Sequence, residues 1–208
     1  MYKFRASSLS EIMTDPKGDE LLSAGGKTCV EKIAKQVIYG YEEQISSKYM
    51  EKGIIVEDQS IDLYNAVFFT NHQKNAERKK NDWITGECDI AAPSKIIDIK
   101  SSWSIPTFPA TVAAGRDKGY EWQGRAYMML WNVDQFDIAY CLVSTPEELI
   151  GYESEELHSV DHINQELRVT VVPYVRDKAL EDKIKARVEA ANKYLDLMVK
   201  QIAEEHNF

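Results

Sequence analysis

Cysteine is scarce: Cys29, Cys88 and Cys141 are the only three in 208 residues, and no two stand in CxxC spacing. They point to neither a disulfide framework nor a zinc or iron–sulfur centre, and read as buried thiols. Histidine is nearly as sparse. His72, His158, His162 and His206 lack metal-ligand spacing, and His158 and His162 fall in an acidic stretch expected to be solvated. No apolar run approaches the roughly 18 residues that a membrane span needs. The opening MYKFRASSLSEIM has no apolar signal centre, so the expected compartment is the cytoplasm. Basic residues are outnumbered, 25 Lys and Arg against 34 Asp and Glu for a net charge of −9. That balance excludes a protein that coats nucleic acid by bulk charge and leaves room for a local basic site. What remains, 44% hydrophobic and 28% charged, is the composition of a single globular domain over residues 1–208.

Periodicity fills in the elements. Ser7 and Ser8 are candidate N-caps ahead of Leu9, Ile12 and Met13, and Asp15-Pro16-Lys17-Gly18 should end that short helix. From about Lys27 to Met50, Val30, Ile33, Ala34, Val37, Ile38, Tyr41 and Ile45 recur at helical steps and predict one helix with a buried stripe. A second helical pattern passes through Ile54, Ile61, Tyr64 and Val67, with Lys52-Gly53 as the joint. Asn71 to Asp82, with Lys74, Arg78, Lys79 and Lys80, predicts a loop whose cations suit a DNA backbone or plain solvent equally well. Trp83–Ile90 and Lys95–Ser101 read as the strands of a hairpin turning at Ala92-Pro93-Ser94.

Ser102 to Gly119 carries Pro106, Pro109 and Gly115 and predicts an irregular loop, a length usually tied to function or motion. A helix over Lys118–Trp131, an apolar strand over Phe136–Ser144, a helix start at Thr145-Pro146-Glu147-Glu148 and a strand over Arg168–Val175 follow. From Asp177 a long helix carries the seam Leu180, Ile184, Val188, Ala191, Leu195, Met198 and Ile202, expected to pack on the parent domain. The sum is an α+β (α/β) fold: a mixed central sheet bearing a β-hairpin, flanked by helices, with a long C-terminal helix over about 177–206.

The chemistry concentrates in Gly86-Glu87-Cys88-Asp89-Ile90 and Lys95-Ile96-Ile97-Asp98-Ile99-Lys100. Side chains alternate along a strand, so Glu87 and Asp89 share one face, and Asp98 and Lys100 share another with Ile96. Where the two polar faces coincide, Asp89, Asp98 and Lys100 converge. Two close carboxylates repel, and burying both costs several kcal/mol unless a cation lies between them. Oxygen ligands without thiolate or imidazole suit Mg²⁺ or Mn²⁺. The D-x-K triplet alone favours a ribbon with a solvated polar face, where Asp and Lys are common.

The order of these motifs resembles that of the PD-(D/E)xK nuclease superfamily, and within it the lambda-type phage exonucleases, also described as YqaJ-like viral recombinases. Arg5-Ala6-Ser7-Ser8-Leu9-Ser10 is similar to their serine-bearing first helix, and Gly53-Ile54-Ile55-Val56-Glu57 to their G-x-x-x-E helix. Gly86-Glu87-Cys88-Asp89 matches their G-x-x-D strand and Asp98-Ile99-Lys100 the (D/E)-x-K strand. Tyr120-Glu121-Trp122-Gln123, extended through Tyr127, resembles their Y-x-x-Q and Q-x-x-x-Y helix. The likeness covers about Arg5 to Trp131.

The resemblance implies a restriction-endonuclease-like core and two Mg²⁺ or Mn²⁺ ions. Asp89, Asp98 and the Ile99 carbonyl would hold the first ion and Glu57 a second. Lys100 would orient or deprotonate the attacking water and stabilise charge on the transition state, with Gln123 holding Lys100 or the scissile phosphate. Arg5, Ser7 and Ser8 would grip a 5′-phosphate, and Tyr120 and Tyr127 would line the DNA wall. It implies digestion of one strand from a double-stranded DNA end, 5′ to 3′, for phage recombination, with a single-strand annealing recombinase as partner and a trimer as the assembly. An arginine upstream of the serine motif has no counterpart ahead of Arg5. A structure-specific or restriction-like endonuclease, and a catalytically silent DNA-binding or partner-docking module, remain the alternatives. Gly25-Gly26-Lys27-Thr28 resembles the end of a P-loop, but Leu21 stands where that pattern needs glycine.

Overall fold

The structure, a computed structural model, describes residues 1–43 and 46–206. In chain order it comprises β1 (Phe4–Arg5), α1 (Ser10–Met13), α2 (Ala24–Tyr39), α3 (Lys48–Ile55), α4 (Glu57–Phe68), β2 (Lys79–Lys80), β3 (Ile84–Gly86), β4 (Ile90–Ala92) and β5 (Lys95–Ser101). Then come α5 (Lys118–Trp131), β6 (Gln135–Cys141), α6 (Glu147–Ile150), β7 (Val169–Val175) and α7 (Lys178–Glu205), with short 3-10 turns between elements. Among the described residues, β4-β5-β6-β7 form one sheet and β1-β3-β2 a smaller one. β5 runs parallel to β6 and antiparallel to β4, while β6 and β7 are antiparallel.

The larger sheet is covered on both faces, as the apolar runs of β5 and β6 require. Ile96, Phe136, Ile138, Val172 and Tyr174 point into a core with α1, α2, α5 and α7. Ile97, Ile99, Ala139 and Cys141 point the other way, into a second core with Val56, Ile61, Leu63 and Tyr64 of α4 and its start. The period-2 alternation of KIIDIKS thus sends Asp98 and Lys100 to the α5 side. Helix α5 lies close to β6 because residue 124 is glycine. A Cβ there would fall 1.9 Å from the Phe136 ring. Asp117 caps α5 by accepting from the Tyr120 amide, and Asn132 ends it in the left-handed region at φ +54°. Asp177 caps α7, whose buried Ile184, Val188, Ala191 and Leu195 pack against α2, as the seam predicts.

Several boundaries differ from the sequence reading. The helix expected over Lys27–Met50 starts at Ala24, where Ser23 accepts from the Gly26 amide, and stops at Tyr39 because Gly40 adopts φ +66°. Ile45 of its expected stripe lies outside the described residues. Ser47 caps a new helix, so Lys52-Gly53 lie inside α3 and the joint falls at Val56. The G-x-x-x-E motif therefore bridges two helices, with Glu57 opening α4. The strand expected over Trp83–Ile90 splits into β3, paired with β1 and β2, and β4, paired with β5. The split has a cause: the Asn75 amide and side chain bond the Asp89 and Cys88 carbonyls. Ser7 and Ser8 make no capping bond. The strand after Phe136 ends at Cys141, and the helix after Pro146 is a single turn.

His158 is buried rather than solvated, with Nδ1 beside the Trp103 carbonyl and Thr145 Oγ1 and Nε2 beside Glu153. Of the cysteines, Cys88 and Cys141 are buried and Cys29 is half-buried. The expected hairpin is present, with Ile90 opposite Ile97. Among the described residues no helix is long and apolar enough to cross a membrane.

Candidate active site

Where the β4–β5 ladder stops, the chain leaves an open edge over the α5 side, and a cleft of about 620 Å³ forms there. Its walls are Asp89, Asp98, Ile99 and Lys100 from the hairpin, Tyr120, Gln123 and Tyr127 from α5, and Arg5 and Ser7 from the N-terminal turn. Tyr49, Met50, Gly53, Ile54 and Glu57 close it from the α3–α4 side. Gly53 meets nothing within 4 Å of an added Cβ, so it widens the cleft beside Glu57.

The acids are held rather than free. The Ile99 amide donates to Asp89 Oδ2 at 2.6 Å. Asp98 is 1% exposed and its Oδ2 lies 2.7 Å from the Lys100 ammonium. Gln123 Nε2 lies 3.4 Å from Asp98 Oδ1 and 2.9 Å from the Tyr127 hydroxyl, which donates to the Glu87 carbonyl at 2.8 Å. Gln123 therefore supports Asp98, not Lys100. Lys100 Nζ stands 4.6 Å from the centroid of the Tyr120 ring, a cation–π placement that leaves the amine at the cleft surface.

Electrostatics follow from burial. Desolvation, then the Asp98 charge, pushes the Asp89 carboxyl up to about 8, against the pull of Lys100 and the Ile99 amide. Burial pulls the Lys100 pKa down, but Asp98 and Asp89 outweigh it and leave the ammonium favoured. Burial likewise raises the Tyr127 phenol.

Among the described residues, no three His, Cys, Asp or Glu side chains close on one point as a finished metal cage. The cleft nevertheless fits a hard divalent ion. Asp98 Oδ2 is buried, with the Lys100 ammonium beside it as its counter-charge. Asp89 is a carboxyl made costly to ionise by burial and then by the Asp98 charge, the situation a cation relieves. In an extended strand a residue's amide and carbonyl leave on the same edge, so the Ile99 carbonyl shares the side where its amide meets Asp89.

The sequence candidates do not all end in the same place. Arg5, Ser7, Glu57, Asp89, Asp98, Ile99, Lys100, Tyr120, Gln123 and Tyr127 line the cleft. Ser8 does not: it lines a neighbouring cavity and bonds the Arg5 carbonyl. Arg5 is ion-paired with Glu42 and borders both cavities. Tyr127 is 3% exposed, and its hydroxyl is committed to the Glu87 carbonyl, so it braces the strand instead of presenting itself to DNA. Gly86 permits this brace, since a Cβ there would lie 2.8 Å from the Tyr127 ring.

Comparison with solved structures gives a phage-related exonuclease from Haemophilus somnus 129PT at 38% identity and TM-score 0.91, covering 97% of this chain and 96% of that one. The chain belongs to the lambda-type phage exonuclease family. It is a nuclease by that membership. The alkaline exonuclease of Laribacter hongkongensis shares the fold at TM-score 0.70 and 17% identity over 99% of this chain and 93% of that one, and has also been solved with dAMP. No family model and no curated protein matches the sequence.

Three further cations take up defined positions around the cleft and behind it. Lys74 Nζ bonds Glu57 Oε2 at 2.5 Å, and Arg78 pairs with Glu87 at 3.2 Å. Behind α3, the amine of fully buried Lys52 donates to the carbonyls of Ser102, Trp103 and Val143. The basic run flagged the first pair without direction. In the sequence Lys52 reads as part of an interhelix joint, and nothing in that pattern signals its burial inside α3.

Proposed function

We propose that the chain is a single PD-(D/E)xK nuclease domain that uses Mg²⁺ or Mn²⁺ to digest one strand of linear duplex DNA from its 5′ end. The observation that carries the reading is the trio Asp89, Asp98 and Lys100, gathered on the open hairpin edge of one cleft. A scaffold has no need to bury two acids together, because their repulsion lowers its stability.

Asp89, Asp98 and the Ile99 carbonyl would hold one ion, and Glu57 would help hold a second. Bound there, divalent ions would supply charge stabilisation on the phosphoryl oxygens and a more acidic water. Lys100, kept as ammonium by Asp98 and Asp89, donates its protons to a non-bridging phosphate oxygen and orients the attacking water. Gln123 keeps Asp98 in place through Oδ1. Tyr120, over which Lys100 sits, offers a partly exposed ring for the terminal base. Arg5 and Ser7, which line the same cleft, would bind the 5′-phosphate.

The same reading assigns the chain to phage-type recombination in the bacterial cytoplasm, beside a single-strand annealing partner and as a trimer, which would keep digestion continuous. The deciding assay is digestion of end-labelled linear and covalently closed circular duplex, with Mg²⁺ and with chelator. Release of 5′-mononucleotides from the linear form alone, abolished by chelator, is expected. Cutting of the closed circle would turn the assignment to an endonuclease.

A further inference from the structure

The segment Thr70–Lys80 is not a loose basic loop. Asn75 pins it across the strand break: its amide donates to the Asp89 carbonyl at 2.7 Å, and its Nδ2 lies 2.9 Å from the carbonyls of Cys88 and Glu77. With that residue fixed, Lys74 reaches Glu57 and Arg78 reaches Glu87. Lys79 and Lys80 do not join them. Lys79 sits over the Trp131 ring, outside the cleft.

Each of these two cations is spent on an acid of the cleft, in a protein with a net charge of −9 that must approach a polyanion. The Lys74 side chain is 51% exposed while Glu57 is 20% exposed, so the lysine is the partner able to leave. The hydrogen bond to Glu57, with the charges of Glu57, Asp58 and Asp89, raises the Lys74 pKa, so it is a full cation wherever it goes. A divalent ion on Glu57 and an ammonium on the same carboxylate repel, so a bound ion weakens the hold of Glu57 on Lys74.

We propose that Lys74 is an exchangeable counter-ion: it caps Glu57 until a divalent ion binds there, then passes to a backbone phosphate of the DNA, next to a second phosphate held by Arg78. The proposal rests on the divalent-ion reading of the cleft. It makes Lys74 a positioning residue that couples ion loading to DNA grip, so that the loaded cleft holds DNA by one more phosphate contact than the unloaded one.

The test has two arms with opposite signs. In calorimetric titration with Mn²⁺ and no DNA, Lys74→Gln should bind the Glu57-dependent ion about two- to fivefold more tightly than wild type, the range of a surface ion pair. In the second arm, duplex binding is followed by anisotropy against salt in a Lys100→Ala background, so the DNA stays intact. With Mn²⁺, Lys74→Gln should lower the slope of log K against log salt by about 0.9, the loss of one phosphate contact. With chelator it should leave that slope unchanged, whereas Arg78→Gln should lower it in both conditions. Unchanged or weaker Mn²⁺ binding by Lys74→Gln, or an unchanged slope with Mn²⁺, overturns the exchange. A wild-type chain whose Mn²⁺ uptake is absent, or is untouched by Asp89→Asn, overturns the divalent-ion reading itself and the exchange with it.

Discussion

The Ile99 amide donates to Asp89 Oδ2 at 2.6 Å, so the backbone of one hairpin strand fixes the carboxylate that precedes the other. The hairpin thereby aims Asp89 at the face where Asp98 and Lys100 already point. One oxygen of Asp89 is used by this bond and the other stays available to the cleft. The arrangement depends on the ladder stopping at Ile90, because a continued β4 would occupy the Ile99 amide with backbone instead.

Lys100→Ala removes the ammonium but none of the oxygen donors. Turnover on linear duplex should fall at least about a hundredfold, the scale of a lost catalytic or charge-stabilising group. Calorimetric Mn²⁺ affinity should stay within a few-fold of wild type. Near wild-type digestion rates in this variant would remove Lys100 from the mechanism.

Asp89 ties pH to stability. Its folded carboxyl is pushed up to about 8 by burial and the Asp98 charge, while an unfolded aspartate titrates near 4. Between about pH 4 and 8 the folded chain holds a proton that the unfolded chain has lost, so stability falls as pH rises through this window. With chelator, Tm between pH 5 and 8 should drop about 4 °C more in wild type than in Asp89→Asn, roughly the response to a 1–2 kcal/mol change at this size. Mn²⁺ at pH 8 should recover most of that loss in wild type alone. Parallel Tm profiles for the two proteins would contradict the buried-pair account.

Local rules made part of this legible. Strand alternation in KIIDIKS puts Asp98 and Lys100 on one face, and helical spacing bounds α5 at Lys118–Trp131, because both are decided by neighbours in sequence. The seam of α7 is legible for the same reason. What escaped was set by distant contacts. Lys52 is buried by carbonyls some 50 and 91 residues away, and His158 by Trp103 and Thr145 across a turn. Asn75 breaks an otherwise uniform strand pattern from outside it. Tyr127 matched a family motif, yet only packing reveals that its hydroxyl faces the Glu87 carbonyl.

Gly124→Ala tests the approach of α5 to β6. Its Cβ would lie 1.9–2.5 Å from three Phe136 ring atoms, a clash that a rigid aromatic between helix and sheet cannot absorb by a small turn. The helix carrying Gln123 must then retreat. Overpacking of this kind costs about 1–3 kcal/mol, occasionally more. The urea midpoint should fall accordingly, and nuclease rates should fall further than the midpoint shift explains, because Gln123 moves off Asp98. A variant as stable as wild type would show that the helix has room to spare.

Lys52 gives a pH response of the opposite sign to Asp89. Its amine donates to three buried carbonyls at 2.6–3.1 Å, and burial pulls its pKa down to about 8 from 10.5. Between those values the unfolded chain holds a proton that the folded chain has released, so Lys52 contributes a gain in stability as pH rises from about 8 to 10. Lys52→Met keeps the apolar stem but leaves the carbonyls of Ser102, Trp103 and Val143 without this donor, a loss of about 3 kcal/mol or more. The unfolding free energy from urea titration at pH 7 should drop by that amount, and the expected alkaline gain of wild type should vanish with it. A lower midpoint with the alkaline gain intact would mean that another group titrates there, and that Lys52 stays charged because the three carbonyls replace its water.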